Sequence, residues 1–439
     1  MPFQLDPTFA QDPAKHFDTL QIHAGLEPDP TTGAAALPIY ASAAFQFDSA
    51  PDAAAKFALS KPGNVYGRLT NTTTDAVAAR VAAIEGATGA VAVASGHAAE
   101  ILALTNIVGA GDHIVASDSL YGGTWNIFLH TLGDLGVETT FVENNDIDAF
   151  VAATKENTKL WYVETIGNPL VDVADVPAIV EAANSLKEPV PVFVDNTFAT
   201  PYLYRPADDG AAVVIESLTK WIGGHGATLG GAVIDTGKFD WKKTPGKFPT
   251  LTEPDPSYHG LVFADAAPAA PFSTRVLANK LRDFGPTLSP YAAQLIGIGI
   301  ETLSLRAQRH SDNALAVAKY LESHPKVSWV RYSGLENDPS HEVASRILHN
   351  GFGGVVVFGV KGGRDAGLKV VDNVKLFTHL ANVGDAKSLI IHPASTTHSQ
   401  LTPEQLKAAH LTEDLIRLSV GIENVDDIIA DLDQALENA

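Results

Sequence analysis

The chain has 439 residues, of which 45% are hydrophobic and 18% are charged, a composition typical of a well-packed globular protein and unlike that of a disordered one. This length favours one large and one smaller domain over a single compact unit. The formal net charge of -21 repels phosphate backbones and anionic lipids, so nucleic acid and membrane surfaces are unfavourable partners.

The N-terminal region, residues 1–65, is rich in Pro, Asp and Ala and has weak hydrophobic periodicity. We predict an extended arm that packs on another surface. It shows no basic stretch followed by an apolar run, and no segment of the sequence reaches the roughly 20 consecutive apolar residues of a membrane helix. The chain has no cysteine, which excludes disulfides, thiolate metal sites and a cysteine nucleophile. We therefore expect a soluble cytoplasmic protein.

Between residues 66 and 287, short apolar runs alternate with segments of helical periodicity, such as Thr72–Ile84 and His97–Val108. This alternation predicts a mostly parallel sheet with helices on both faces. Residues 237–271 interrupt it with a polar, proline-rich stretch, which we predict to be an inserted functional or interface loop. The predicted strands are Val91–Ala94, His113–Ser117, Thr139–Val142, Leu160–Glu164, Pro191–Asp195, Val213–Ser217 and Gly231–Ile234.

The C-terminal part, residues 288–439, mixes helices and strands in a different order. A helical region is predicted at Leu288–Leu321, strands at Trp329–Tyr332 and Gly354–Val360, and a last helix in NVDDIIADLDQALENA. These elements favour a smaller mixed α/β domain. The predicted fold class is therefore α/β, with a large, mostly parallel domain followed by a smaller one.

The segment VVIESLTKWIGGHG places Lys220 just after an apolar strand. Burial there would lower the pKa of the lysine and make it a better nucleophile toward a carbonyl cofactor, and Ser217 and Thr219 could hold a phosphate beside it. The alternative is a strand end whose lysine reaches solvent. The segment FVDNTFATPYL ends another apolar strand at Asp195, which could bind a protonated pyridine nitrogen or simply cap the next turn.

The segment VAVASGHAAEILALTNIV predicts a strand, a Ser-Gly turn and a helix that begins near His97, and helix starts of this kind bind phosphate. No G-x-G-x-x-G motif follows a predicted strand, which argues against a dinucleotide-binding dehydrogenase.

Together, these segments resemble the Cys/Met-metabolism family of pyridoxal-phosphate enzymes over nearly the whole chain. The resemblance implies the fold-type I (aspartate aminotransferase-like) fold for the large domain and pyridoxal 5'-phosphate as cofactor. It assigns Lys220 to the Schiff base and Asp195 to the pyridine nitrogen, with Thr197 in support. The implied phosphate ligands are Ser217, Thr219, Gly96 and the N–H of His97, whose side chain departs from the family's Met or Gln.

Further residues follow from the same resemblance. Tyr121, in SDSLYGGTW, would stack on the cofactor ring and assist proton transfer, although a bare sequence favours a turn residue there. Tyr66 and Arg68, in VYGRLTNTT, would reach the phosphate of a neighbouring subunit, or else be solvated. This implies a homo-oligomer, expected to be a homotetramer of active-site-sharing dimers. The implied substrate ligands are Asn168, Ser388 and Arg417, the last being the α-carboxylate clamp unless it forms a structural salt bridge. Asn168 is also implied to bind the cofactor, next to its oxygen.

Within the family, NVGDAKSLIIHPASTTHSQL and the inserted LTEPDPSYHG resemble the O-acetylhomoserine sulfhydrylase branch. The implied reaction is γ-replacement, in which O-acetyl-L-homoserine and sulfide give L-homocysteine and acetate, as in methionine biosynthesis. A cystathionine γ-synthase, a γ-lyase and a non-catalytic binding protein remain alternatives, and the acyl group and the thiol acceptor stay open. His392 and His398 have no metal-ligand spacing, so no metal is expected.

Overall fold

The computed structural model describes residues 15–26, 28–29, 31–396 and 411–439. No helix within these ranges is long and apolar enough to cross a membrane. The described part forms two sheets, of seven and five strands, and each carries its own helices.

The larger sheet has the strand order β1-β7-β6-β5-β4-β2-β3 and is parallel except for β7, which runs antiparallel to both of its neighbours. Because parallel strands point the same way, the segments after β1, β4, β5 and β6 meet at one edge of the sheet. The seven predicted strands are confirmed, with ends shifted by no more than two residues. Their bounds are β1 Gly89–Val93, β2 His113–Ser117, β3 Glu138–Val142, β4 Thr158–Glu164, β5 Val192–Asp195, β6 Val213–Glu216 and β7 Gly231–Asp235.

Helices cover both faces of this sheet, as predicted. Alternate residues of β4 belong to different hydrophobic clusters: Trp161 and Val163 pack on one side, Leu160 and Tyr162 on the other. The helices before the insertion are Phe17–His23, Ala50–Phe57, Thr72–Glu85, Gly96–Ile107, Gly122–Asn126 continuing through Ile127–Thr131 to Leu132–Asp134, Ile147–Ala153, Val176–Ser185 and Thr200–Leu203.

The N-terminal arm packs partly on its own chain. The helix Phe17–His23 lies against the helix Thr72–Glu85, and Gln21 exchanges hydrogen bonds with Ser304 through its Nε2 (2.8 Å) and Oε1 (3.0 Å). Farther along the arm, Phe57 stays 62% exposed. The first helix of the arm thus packs on its own chain, and a contact of the arm with a neighbouring subunit stays a prediction.

Residues 237–271 contain no strand and no long helix, as predicted, but they are more tightly packed than a loop. They form the short helical turns Pro249–Thr252, Pro256–Tyr258 and Phe263–Ala266. Trp241 stacks on Phe272 with 5.2 Å between ring centroids, and Phe272 meets Phe193 of β5 edge to face. The insertion thus anchors its scattered aromatic residues in the core of the large domain. The chain continues as the helix Pro271–Arg275 through Val276–Leu281 to Arg282–Phe284.

The C-terminal part forms the smaller sheet, of order β10-β11-β12-β9-β8, in which only β10 and β11 pair in parallel. The predicted helical region, the two strands and the last helix are all present. The strands are β8 Val327–Arg331, β9 Val355–Val360, β10 Thr378–His379, β11 Leu389–Ile391 and β12 Leu415–Ser419, and the helices are Pro290–Ile300, Leu303–Ser323, His341–Ile347, Gly363–Asn373 and Val425–Glu437, with a short turn at Pro393–Ser395.

Candidate active site

Lys220 lies four residues after β6, at the edge where the parallel strands end. Its Nζ donates a hydrogen bond of 2.6 Å to Oδ1 of Asn382, from the smaller domain. Burial, with a smaller contribution from the charge of Arg417, lowers the pKa of Lys220 to about 8. A much larger fraction of this amine is therefore uncharged near neutral pH than for an ordinary lysine, which makes it a competent nucleophile and base.

The start of the helix Gly96–Ile107 lies directly against Ser217. A Cβ at position 96 would stand 2.7 Å from Cβ of Ser217, so only glycine permits this approach. The hydroxyl of Ser95 caps the helix by accepting from the N–H of Ala98 (3.1 Å). The N–H groups of Gly96 and His97, the two residues before Ala98, have no acceptor within the helix. With the Ser217 hydroxyl beside them, they form a favourable site for an anion such as a phosphate.

Thr219 is already engaged within the chain. Its Oγ1 donates to the carbonyl of Gly230 (3.1 Å) and accepts from the N–H of the same residue (3.0 Å). One lone pair of the hydroxyl remains for a ligand. Its clearest role in the described structure is to fix the turn that carries Lys220.

Asp195 ends β5, and its Oδ1 accepts from the N–H of Thr197 (2.9 Å). The hydroxyl of Thr197 in turn accepts from the N–H of Ser217 (2.8 Å), which ties the ends of β5 and β6 together. Burial raises the pKa of Asp195. None of the described ion pairs involves this carboxylate, and a buried charge without a partner is costly. A protonated ring nitrogen of a ligand would supply that partner.

Glu164, which the sequence does not single out, lies beside Asp195 on the neighbouring strand. It ends β4 and pairs in register with Asp195. Its Oε1 accepts from the N–H of Tyr121 (2.6 Å). Burial and then the charge of Asp195 raise the pKa of Glu164 well above its ordinary range. This carboxyl therefore favours its protonated form more than an ordinary glutamate does.

Tyr121 and His97 face each other, with ring centroids 5.5 Å apart. Tyr121 is 45% exposed, as expected for a ring that is available to stack on a ligand. Burial and then the charge of Lys220 lower the pKa of His97, so its ring is neutral near pH 7. The His97 side chain therefore lies within the site, although only its backbone role had been predicted.

Arg417 lies on β12, and its Nη1 donates to Oδ1 of Asn168 (2.9 Å). The guanidinium is buried, and burial lowers its pKa to about 10. Among the described residues no carboxylate forms an ion pair with it, so the alternative of a structural salt bridge finds no support there. Such an unpaired guanidinium favours a carboxylate ligand.

Ser388 is occupied by neighbours of its own domain. Its N–H and its hydroxyl donate to the carboxylate of Glu423 at 2.7 and 2.9 Å, and the hydroxyl accepts from the N–H of Gly421 (2.8 Å). His392 is held in the same way, by the Ser395 hydroxyl and the Glu413 carbonyl. No group of metal-ligating side chains occurs in the part of the chain that the structure describes. His398 lies outside that part.

Tyr66 and Arg68 contact each other and neighbouring segments, and the carbonyl of Arg68 accepts from the Thr287 hydroxyl (3.0 Å). The guanidinium of Arg68 lies 5.5 Å from the ring centroid of Tyr66, and Tyr66 is 45% exposed. An isolated bridge joins Tyr66 to Ala44 of the arm. Within a single chain, these two residues are thus not part of the cluster around Lys220.

Asn382, which contacts Lys220, is another site residue that the sequence does not single out. It begins the segment NVGDAKSL, which had been noted as a marker of one branch of the family, but no chemistry had been assigned to its amide. Its contact with Lys220 spans 162 positions of sequence, and no local periodicity predicts such a pairing.

The arrangement fits pyridoxal phosphate on three independent points. Lys220 supplies an amine for the aldehyde, the start of the helix Gly96–Ile107 with Ser217 suits the phosphate, and Asp195 suits the pyridine nitrogen. All three lie at one edge of one sheet.

Comparison with known proteins finds relatives over nearly the whole chain. A model of the Cys/Met metabolism PLP-dependent enzymes matches residues 18–437. The chain is 50% identical to a homocysteine synthase of Schizosaccharomyces pombe, over 97% of this chain and 99% of that protein. It is 48% identical to an O-acetyl-L-homoserine sulfhydrylase of Leptospira meyeri, over 96% of each.

Among solved structures, a putative O-acetylhomoserine (thiol)-lyase from Campylobacter jejuni, crystallised with N'-pyridoxyl-lysine-5'-monophosphate, matches with a TM-score of 0.93 and 40% identity. The match covers 96% of this chain and 100% of that one. The predicted family, fold and cofactor are confirmed: the chain belongs to the Cys/Met metabolism family of pyridoxal-phosphate-dependent enzymes.

Proposed function

We propose that this chain catalyses γ-replacement, converting O-acetyl-L-homoserine and sulfide to L-homocysteine and acetate. The observation that carries the chemistry is the convergence of Lys220 with Arg417, a buried guanidinium that has no carboxylate partner among the described residues. An amino-acid substrate needs both groups, one for its amine and one for its carboxylate. The choice of substrate follows the 48–50% identical relatives, which are named for this reaction or its product.

The proposed cofactor ligands are those predicted from sequence. Asp195 binds the ring nitrogen with Thr197 in support, and Tyr121 stacks on the ring. When bound, pyridoxal phosphate supplies an electron sink for negative charge that develops on the substrate's α-carbon. The amine of Lys220 would hold the aldehyde carbon of the cofactor, and Ser217, Thr219 and the N–H groups of Gly96 and His97 would bind its phosphate.

Substrate orientation falls to Arg417 and Asn168. The guanidinium has five donors in a planar fork, of which one is directed to Oδ1 of Asn168. Among the described residues no carboxylate pairs with the other donors, which suit a bidentate carboxylate. Asn168 thereby fixes the plane of the fork. Ser388 acts indirectly. Its hydroxyl donates to Glu423 and so holds the loop beside β12.

Proton transfer falls to Lys220. Once its amine is free, it removes the proton from the α-carbon of the substrate, and a pKa of about 8 leaves it able both to take and to return that proton near neutral pH. A substrate carboxylate on Arg417 offsets the positive charge that helps to lower the pKa of Lys220, so substrate binding makes the amine more basic. Tyr121 and Tyr66 would assist.

We further propose a homo-oligomer, a homotetramer of dimers that share active sites. The helix Pro290–Ile300 exposes Tyr291, Leu295 and Ile298 along one side, at spacings of four and three residues, close to the loop that follows Lys220. A second copy would cover this stripe and bring its own Tyr66 and Arg68 to the phosphate. The division into an arm (1–65), a cofactor domain (66–287) and a substrate domain (288–439) belongs to the same proposal.

The test is product identification with O-acetylhomoserine, sulfide and L-cysteine offered together. Homocysteine and free acetate in equal amounts are the expected products. Cystathionine as the main product would instead indicate a cystathionine γ-synthase, and an α-keto acid with ammonia would indicate a γ-lyase. Either result would overturn the proposed reaction and leave the cofactor ligands untouched.

A further inference from the structure

The Asn382 amide meets Lys220 from the other domain. Lys220 Nζ donates to Asn382 Oδ1 over 2.6 Å, and none of the ion pairs in the described ranges involves this lysine. A neutral amide is therefore the partner of an amine that has to gain and lose a proton.

The position of Asn382 is fixed by the segment that it begins, residues 382–388. The N–H of Gly384 donates to the Ser419 hydroxyl (2.9 Å), and the N–H of Ala386 donates to the carbonyl of Gly224 (2.9 Å). Gly384 has a φ of +74°, and a Cβ there would stand 2.6 Å from the backbone nitrogen of Trp221. The segment is thus fastened both to the loop after Lys220 and to the end of β12.

The chemical type of this partner matters. An amide oxygen accepts from an ammonium and also from a neutral amine, so it can hold Lys220 in both protonation states. A carboxylate at the same place would favour the ammonium and make the lysine a poorer base. An apolar side chain would leave a largely buried amine without a hydrogen bond.

We propose that Asn382 is a positioning residue that holds Lys220 whenever the amine of a substrate displaces this lysine from the cofactor. The inference rests on the proposed role of Lys220. In that exchange, the ligand's nitrogen forms the new C=N bond as the C=N bond to Lys220 breaks, and the two protons that the ligand ammonium loses pass to Lys220. Asn382 stabilises only the side of this equilibrium on which Lys220 is free.

A pair of ligands separates this role from others. L-2-aminobutyrate displaces Lys220, whereas butyrate has the same carbon skeleton and carboxylate but no amine. Dissociation constants of both are measured on the cofactor-loaded, full-length enzyme by calorimetry, and absorbance follows the aminobutyrate. The variants are Asn382→Leu and Asn382→Asp, with Lys387→Ala as a control on the same segment, since that side chain is 67% exposed.

For Asn382→Leu, we expect aminobutyrate to bind on the order of tenfold more weakly, the loss of one hydrogen bond to a charged group, with butyrate unchanged. For Asn382→Asp, aminobutyrate binds more tightly relative to butyrate, yet kcat falls because the lysine stays protonated. Lys387→Ala changes neither ligand.

Equal weakening of both ligands by Asn382→Leu would overturn the proposal, since it would place Asn382 at the carboxylate or in general packing. Unchanged binding of both would overturn it as well. Neither ligand involves an acetyl ester or sulfide, so these outcomes are independent of whether homocysteine is the product.

Discussion

The two walls of the site are built by different means. One, the sheet wall, consists of Gly96, Asp195, Ser217 and Lys220, which lie at or just after the ends of neighbouring strands of the large sheet. The other, the clamp wall, consists of Asn382 and Arg417, from a loop and a strand of the smaller domain. The residues of the sheet wall follow the strand ends of one sheet, whereas the clamp wall meets them through hydrogen bonds between residues distant in sequence, from Lys220 to Asn382 and from Arg417 to Asn168. The sheet wall thus suits a permanent cofactor and the clamp wall suits a substrate that comes and goes.

The largest expected effect concerns the sheet wall. Lys220→Ala removes both the cofactor amine and the proposed base, so turnover should fall by at least about 10³-fold, within the range for loss of a general base and a covalent catalyst. Initial rates of homocysteine formation measure this. An exposed lysine, Lys243, serves as the control and should tolerate Ala. Retention of substantial turnover by Lys220→Ala would remove the central assignment.

The next effect concerns the clamp wall. Arg417→Met leaves the substrate carboxylate without its buried partner, a loss of about 3–5 kcal/mol, so kcat/KM should fall by roughly a few hundredfold to a few thousandfold. Cofactor content, measured by absorbance, should stay unchanged, because the clamp wall does not hold the cofactor. Arg346→Met is the matched control, since that arginine is half exposed and pairs with Asp175 at the surface. Loss of cofactor in Arg417→Met would contradict this division, because it would show that the clamp wall also holds the cofactor.

How far the sequence predicts each wall follows from this difference. Apolar runs give the strands, and strand ends place Asp195 and Lys220 at one edge, so the sheet wall and the large fold were predictable. Arg417 could be named only through resemblance to a family. The bond from Lys220 to Asn382 and the engagement of Ser388 by Glu423 join residues far apart in sequence, and no local pattern encodes them. The buried aromatic residues of the insertion were missed because prolines and charges surround them.

The third effect is on the free energy of unfolding, which the buried Lys220 lowers. Burial lowers its pKa from 10.5 to about 8. At about 1.4 kcal/mol per pH unit, holding the charged amine in the fold therefore costs roughly 3 kcal/mol. The unfolded chain binds more protons between these values, so this cost is full below pH 8 and is relieved as the pH rises toward 10.5. In the cofactor-free protein, Lys220→Met should therefore raise the free energy of unfolding at pH 7 and lose this advantage above pH 10. Urea unfolding at the two pH values tests the sign.

The smallest effect returns to the sheet wall. Gly96→Ala places a Cβ 2.7 Å from Cβ of Ser217, so the helix start has to move away. Overpacking of this kind costs about 1–3 kcal/mol, so we expect cofactor affinity to fall by roughly tenfold to a hundredfold. Gly133→Ala is the matched control, because a Cβ there meets no atom within 4 Å. Unchanged cofactor affinity in Gly96→Ala would show that the helix start does not bind the phosphate.

The most direct test of the account is to locate the cofactor. The loaded enzyme is reduced with borohydride, which converts the Schiff base to a stable pyridoxyl-lysine, and is then digested and mapped by mass spectrometry. We predict the adduct on Lys220, in the peptide that contains Ser217 and Thr219. An adduct on any other lysine would contradict the assignment of the sheet wall and, with it, the proposed roles of Asp195 and Asn382.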